Sequence, residues 1–299
     1  ITFSDVYPLY GISDIRGSSH ERNRAIQQDL LEQFRLGLAI INSVCAAVNQ
    51  AFAHQCRDDL LQKIEHLQGG VTVDAEITLL RYLQEHVEAH FDFFNTCGES
   101  AQAAIAAYQS AKDPEQGCIY RARSIYDKTV QQINLSLRAT WQRWQHTMQA
   151  VSPHYCDIES TDGIDHMIYT GKTIDRNFSP FHLRSLRYEQ LRAVCDCART
   201  GFRLKAQHTT EMDITHLVLV QDCTVDITHD ENTERLFEVR GTRDTRYEIV
   251  KKRIDKALDA KTHERITQPG CLTLVYSTSD EWQEYQDYLR YLQRAGWVG

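Results

Sequence analysis

The chain has 299 residues, 42% of them hydrophobic and 25% charged, with a net charge of −8. This composition excludes a disordered or low-complexity chain, and the negative balance excludes a long-range pull toward nucleic acid or an anionic membrane. Only 14 glycines and 5 prolines are present, which favours long helices over a turn-rich all-β fold, and the length suggests two domains.

Residues 1–18, ITFSDVYPLYGISDIRGS, lack a helical period and read as an extended arm anchored by Phe3, Tyr7 and Tyr10. A helix of about eight turns follows, with Ser18 and Glu21 as a capping box and an apolar stripe at Ile26, Leu30, Phe34, Leu38, Ile41, Cys45, Val48 and Phe52. A second helix over 58–68 stops at Gly69-Gly70. A third runs from Asp74 to about Cys97. A short fourth, AQAAIAAYQSA, ends at Asp113-Pro114, and a long fifth spans about 115–150 with Trp141 and Trp144 on one face, Trp141 buried. Residues 19–153 are therefore predicted to form an antiparallel helical bundle.

The pattern changes after Pro153. A hairpin is predicted at Thr161-Asp162-Gly163, then a helix over 181–207, β structure over 214–228, a returning strand at 235–241, a helix at 246–258, a strand at 271–277 and a final helix. The predicted fold class is α+β. An N-terminal helical bundle precedes an α+β domain over 154–299, ferredoxin-like in leading form and GAF- or PAS-like in the main alternative.

No run of 18 apolar residues suggests a membrane-spanning helix, and no signal-peptide pattern is visible. The chain opens at Ile1 without Met, as a processed chain or a fragment of a longer protein would. Nine cysteines, an odd number without a CxxC pair, sit mostly in apolar patterns. Reduced, partly buried thiols in a cytoplasmic protein are expected.

Candidate sites are few. His86 and His90 are spaced to share a helix face as a metal-ligand pair. Val87 stands where a zinc protease needs Glu, and no further ligand is implied. Cys195 and Cys197 are two apart on a helix, so one thiol is expected inward and one outward. Asp222, Asp226, Asp230 and Glu231 are placed on a strand and its hairpin turn, with Asp222 and Asp226 sharing a face. Such acids suit magnesium, or simply a solvated strand edge. The segment 240–265 is locally basic and includes Arg246 and Lys252; it reads as an anion-binding face or as a helix laced with internal ion pairs. Ser279 is predicted to cap the last helix. No GxSxG elbow, phosphate-binding loop or GxGxxG turn is present.

Six blocks carry a family resemblance. They are VYPLYGISDIRGSS (6–19), NRAIQQDL (23–30), TDGIDHMIYTGKTI (161–174), FHLRSLRYEQLRAVC (181–195), RYEIVKKRIDKAL (246–258) and ERITQPGCLTLVYS (264–277). With them the chain resembles the C-terminal region of large bacterial, Bacteroidetes-type, GAF-domain-containing cytoplasmic proteins. The resemblance implies a soluble regulatory or sensory protein and carries over no catalytic residue.

Two function classes stay open. One is a regulatory, sensory or interaction module. Its expected partners are other domains of a longer parent chain or a second copy, with room for a small-molecule ligand. The other is a magnesium-dependent enzyme acting on a nucleotide or phosphorylated metabolite. No catalytic residue, cofactor, nucleic-acid partner or membrane partner is predicted.

Overall fold

In a computed structural model of the chain, the described residues are 1–71, 73–207, 212–229, 237–240, 249–254 and 256–299, with backbone alone described at 73, 74, 240, 251 and 252. The fold is mixed α+β and divides into two compact units: Ser18–Thr129, and Ile1–Gly17 with Val130–Gly299.

The first unit is helical. It holds α1 (Ser18–Ala47), α2 (Ala51–Gln68), α3 (Val73–His86), a single-turn α4 (Phe91–Phe94), α5 (Glu99–Ala111) and the start of α6 (Arg121–Val151). Its core gathers Leu30, Phe34, Ile41 and Val44 of α1, Leu60, Ile64 and Leu67 of α2, and Leu83, Ile105 and Tyr108. Burial of these side chains drives the association. Two buried polar residues of α1 fix where α6 begins. The Asp29 carboxylate accepts from the backbone N–H groups of Ala122 and Arg123 at 2.7 and 3.1 Å, and from Arg123 Nε at 2.9 Å. It thereby satisfies donors that a helix start leaves orphaned. Gln33 donates to the Tyr108 hydroxyl and accepts from Ile119 N, both at 3.0 Å.

Several helix boundaries differ from expectation, α2 beginning at Ala51 rather than at 58. The predicted eight-turn helix stops at Ala47, and Phe52 belongs to α2, where it is exposed. The link at 48–50 has neither Gly nor Pro; Asn49, a turn former, meets His54 Nε2 at 3.2 Å. The third helix ends at His86 rather than near Cys97. The long helix starts at Arg121, because the Asp113 carboxylate accepts from Glu115 N and Gln116 N in a turn closed by Gly117 at φ +68°. By length and composition α1 is apolar enough to cross a membrane. Its stripe packs into the helical core.

The second unit is built on a mixed sheet. The segment expected as an arm is its central strand, β1 (Thr2–Arg16). The sheet order is β2 (Tyr155–Thr161), β3 (Gly163–Thr170), β1, β4 (Asp213–Leu219), β7 (Leu272–Val275). β5 (Val225–Thr228) pairs with the first residues of β1, and β6 (Glu238–Arg240) pairs with β5. The β4–β7 pair is parallel and the others are antiparallel, so the sheet differs from the all-antiparallel ferredoxin-like layer. The predicted hairpin is present, with Gly163 at φ +126° and a Cβ position only 2.0 Å from Ser13 O, where no side chain fits.

Pro8 lies within a central strand, where proline is normally excluded. The pairing with β5 ends at Val6 and the pairing with β4 begins at Tyr10. Pro8 falls in the gap between them, where a missing N–H costs nothing.

Both faces of the sheet are covered, and every residue of β3 is buried. One face packs Tyr10, Ile12, Met167, Tyr169, Leu217 and Leu219 against Val225, Ile227, Phe237 and Val250, the last in a π-helical turn over Val250–Ile254. The other meets α6 and α7 (Pro180–Gln207): the Trp141 ring lies 3.9 Å from the His166 ring, and Gln190 Nε2 is 2.9 Å from His166 Nε2. Trp141 is buried, as its position on the stripe predicts. The last helix, α8 (Ser279–Arg294), joins α7 through contacts such as Tyr188–Tyr288.

Candidate functional site

The sheet unit contains a cavity of about 900 Å³ where β1 changes partners. A bulge lies between Phe3 and Val6, and Asp5 takes φ +54°, a left-handed conformation that Asp tolerates better than most residues. Bulges re-aim side chains and recur beside functional sites. Here Asp5 lines the cavity, its N–H donates to Asp226 Oδ1 at 3.1 Å, and Thr224 Oγ1 donates to its carboxylate at 3.3 Å.

Arg187 forms the charged floor. It comes from the first half of α7, and its side chain is only 4% exposed. Its guanidinium donates to both Glu284 oxygens at 3.0 and 2.9 Å, to Gln221 O at 2.9 Å and to Asp222 Oδ1 at 3.1 Å. A buried cation needs such a set of partners. Burial works against the charge, but Tyr285, Glu284 and Asp222 more than offset it, and the pKa is raised. Glu281 holds the neighbouring loop. Its Oε1 accepts from Asp222 N at 3.1 Å and its Oε2 from Ser277 N at 2.6 Å, and with Thr278 it completes a capping box. The cap of α8 is thus Thr278, one residue before the predicted Ser279.

One wall is apolar, with Tyr7 and Phe178 stacked at 5.9 Å beside Pro180 and Leu183. Lys172 and Arg184 also line the cavity. The Arg184 side chain is 57% exposed and meets Glu284 only at 4.0 Å. The cavity therefore offers an aromatic face, two loosely held cations and a neutralised floor.

The predicted site residues scatter. Asp222 lies at the cavity but in the loop after β4, not on a strand. Asp226 is on β5, so the two share no strand face. Residues 220–224 interrupt what the sequence suggests is continuous β structure. Asp230, Glu231 and Arg246, and the side chain of Lys252, lie outside the described residues. His86 is the last residue of α3, and His90 belongs to a separate 3₁₀ turn, with Val87 between them at φ −122° and ψ −60°. The shared helical face is lost. Each ring instead packs on an aromatic: His86 on Tyr82 at 4.4 Å, His90 on Phe94 at 5.9 Å. No cluster of three His, Cys, Asp or Glu able to hold a metal occurs among the described residues. Cys195 and Cys197 are both buried rather than split inward and outward, because α7 is covered on more than one side. Burial pushes the Cys195 thiol up to about 11 and raises Cys197 as well.

Arg187, Glu284 and Phe178 escape the sequence reading, which takes Tyr7 only as an anchor of the arm. One signal was available: Arg187 stands in the apolar row Leu183, Arg187, Leu191, Val194, and a charge in such a row asks for buried partners. Comparison with protein-family models, with curated proteins and with solved structures yields no match to this chain.

Proposed function

We propose that the sheet unit is a non-catalytic, small-molecule-binding regulatory module. The cavity at the β1 bulge takes a ligand with a planar apolar part on Tyr7 and Phe178 and an acidic group facing Lys172 and Arg184. The observation that carries this reading is that cavity, about 900 Å³ and within the size range of ligand sites, with an apolar wall and a few convergent polar groups. The magnesium-enzyme reading is weaker: the Asp222 carboxylate is engaged by Arg187 and that of Asp226 by Asp5 N, so both acids serve the protein rather than a cation. The proposal extends to a GAF-like sensory role for the sheet unit and a bundle role for the helices. It includes partnership with other domains of a parent chain or with a second copy. A cytoplasmic setting is supported by nine free cysteines.

Native mass spectrometry of the purified chain, repeated after denaturation, tests the site. A bound small molecule lost on denaturation and missing from Arg184→Glu is expected. A thermal-shift panel of aryl carboxylates and aryl phosphates supplies the second readout. Stabilisation only by magnesium with a nucleotide overturns the reading in favour of the enzyme, and stabilisation by nothing in the panel, with no co-purifying molecule, overturns it outright.

A further inference from the structure

A second cavity, of about 590 Å³, lies beside the other halves of the same two helices. Its walls include Val194, Ala198 and Phe202 of α7, Leu289 of α8, Leu272 of β7 and the Trp297 ring. His216 of β4 also lines it and is 2% exposed. His216 Nδ1 lies 2.9 Å from Ser13 Oγ on the neighbouring strand β1. That bond turns the opposite nitrogen away from β1, toward the side where Gly270, Cys271 and Leu272 border the cavity. His216 Nε2 is buried and has no hydrogen-bond partner among the described residues. Trp141 Nε1 and His166 Nδ1 are likewise unpaired among the described residues, but His216 lines a cavity, and since buried polar atoms are rarely left unsatisfied, its Nε2 points to a partner that enters from there.

We infer that this cavity is a ligand site for a neutral aromatic molecule bearing one hydroxyl group, which completes the hydrogen bonding of His216 Nε2. The walls match an aromatic body. The nearby cation does not ask for an anion: Arg199 stacks over Trp297 at 4.4 Å and donates to Gly296 O at 2.8 Å. Burial holds His216 uncharged, with its pKa pulled down to about 4, so it makes a neutral hydrogen bond. The Cys195 thiol on the same wall stays protonated, and no metal-binding trio includes His216 among the described residues. This site is distinct from the first, which faces Leu183, Arg184 and Arg187.

The test uses the full chain labelled with ¹⁵N in its imidazoles, titrated with phenol, toluene and benzoate. Phenol is expected to saturate, to move the His216 Nε2 resonance and to bind about tenfold more tightly than toluene, because toluene leaves the nitrogen unpaired. His216→Phe removes this preference. Since that change also strands Ser13, Ala198→Phe serves as the second variant: it fills the cavity from a half-buried helix position, keeps the His216–Ser13 bond and should abolish phenol binding. Equal binding of phenol and toluene overturns the inference. So does tighter binding of benzoate, an unmoved His216 resonance at saturating phenol (a cavity that holds only water), or a folded Ala198→Phe that binds phenol like the parent.

Discussion

The helical unit and the sheet unit solve the same problem with different materials. The helices bury a largely apolar cluster, with the Asp29–Arg123 pair and Gln33 as its polar pins. The sheet unit buries Ser13, Asp165, His166, Arg187, Gln190 and His216 in its interior. An apolar core tolerates exchange of one hydrocarbon for another, whereas a buried polar layer depends on each partner. Both cavities described above border that layer, Arg187 at one and His216 at the other. In this chain the costly interior and the candidate chemistry occupy the same unit.

All four tryptophans, at 141, 144, 282 and 297, belong to the sheet unit. Their fluorescence therefore reports that unit alone, while ellipticity reports both. The largest effect is expected from Gly163→Ala. The new Cβ would sit 2.0 Å from Ser13 O at a φ of +126°, and strain and overlap together cost about 4 kcal/mol. The tryptophan transition should move far to lower denaturant. Gly70→Ala, at a similar φ of +124° but with open space around it, should cost only about 1–2 kcal/mol of strain. Equal effects would remove the distinction between a tight sheet contact and a free helix end.

Phe34→Ala comes next. Phe34 is fully buried and stacks on Tyr82 at 6.4 Å, and its truncation should cost about 3–4 kcal/mol. The loss should appear in ellipticity with the tryptophan midpoint unchanged. A matching fall in both signals would show that the two units unfold as one.

The last expected effect is acid sensitivity. Desolvation pulls His166 to about 3, with His216 a secondary cause, and His216 to about 4, from an ordinary value near 6.5. Both folded values lie below the unfolded one, so the unfolded chain gains protons first as the pH drops. The stability is whole above about 6.5 and is lost on the way down to 4 and 3, at no more than about 1.4 kcal/mol per pH unit for each histidine. Urea midpoints followed by tryptophan fluorescence should fall between pH 7 and pH 5, less steeply in His216→Phe. A flat profile would mean that the rings are not desolvated.

The local parts of this structure were legible. The stripe through Leu30, Phe34 and Ile41, the Asp162-Gly163 hairpin and the burial of Trp141 follow from spacing and turn chemistry within a few residues. The break at 48–50 was not, because no Gly or Pro marks it and only the docking of α2 on α1 requires it. The role of β1 was hidden for a physical reason. Pro8, Gly11 and Ser13 spoil its strand pattern, yet Pro8 fits a gap between partners and Gly11 makes room for the His166 ring, 2.2 Å from where a Cβ would stand. Both explanations lie in strands far along the chain. The sites were hidden likewise: Asp222 drew notice as a magnesium ligand, but its partner Arg187 and their shared neighbour Glu284 come from separate helices.

The position of β1 has a consequence for how the chain is made. Ser13 and His216 are 203 residues apart, and β1 waits for β3, β4 and β5 before its hydrogen bonds close. The helical residues 18–129 emerge in one continuous stretch and gather their contacts first. Contacts this distant are slow to form, and an apolar strand held open on both edges is a site for misassociation. Synthesis therefore leaves Val6, Leu9, Tyr10, Ile12 and Ile15 exposed until β3, β4 and β5 have emerged, an interval in which a chaperone's shelter would count.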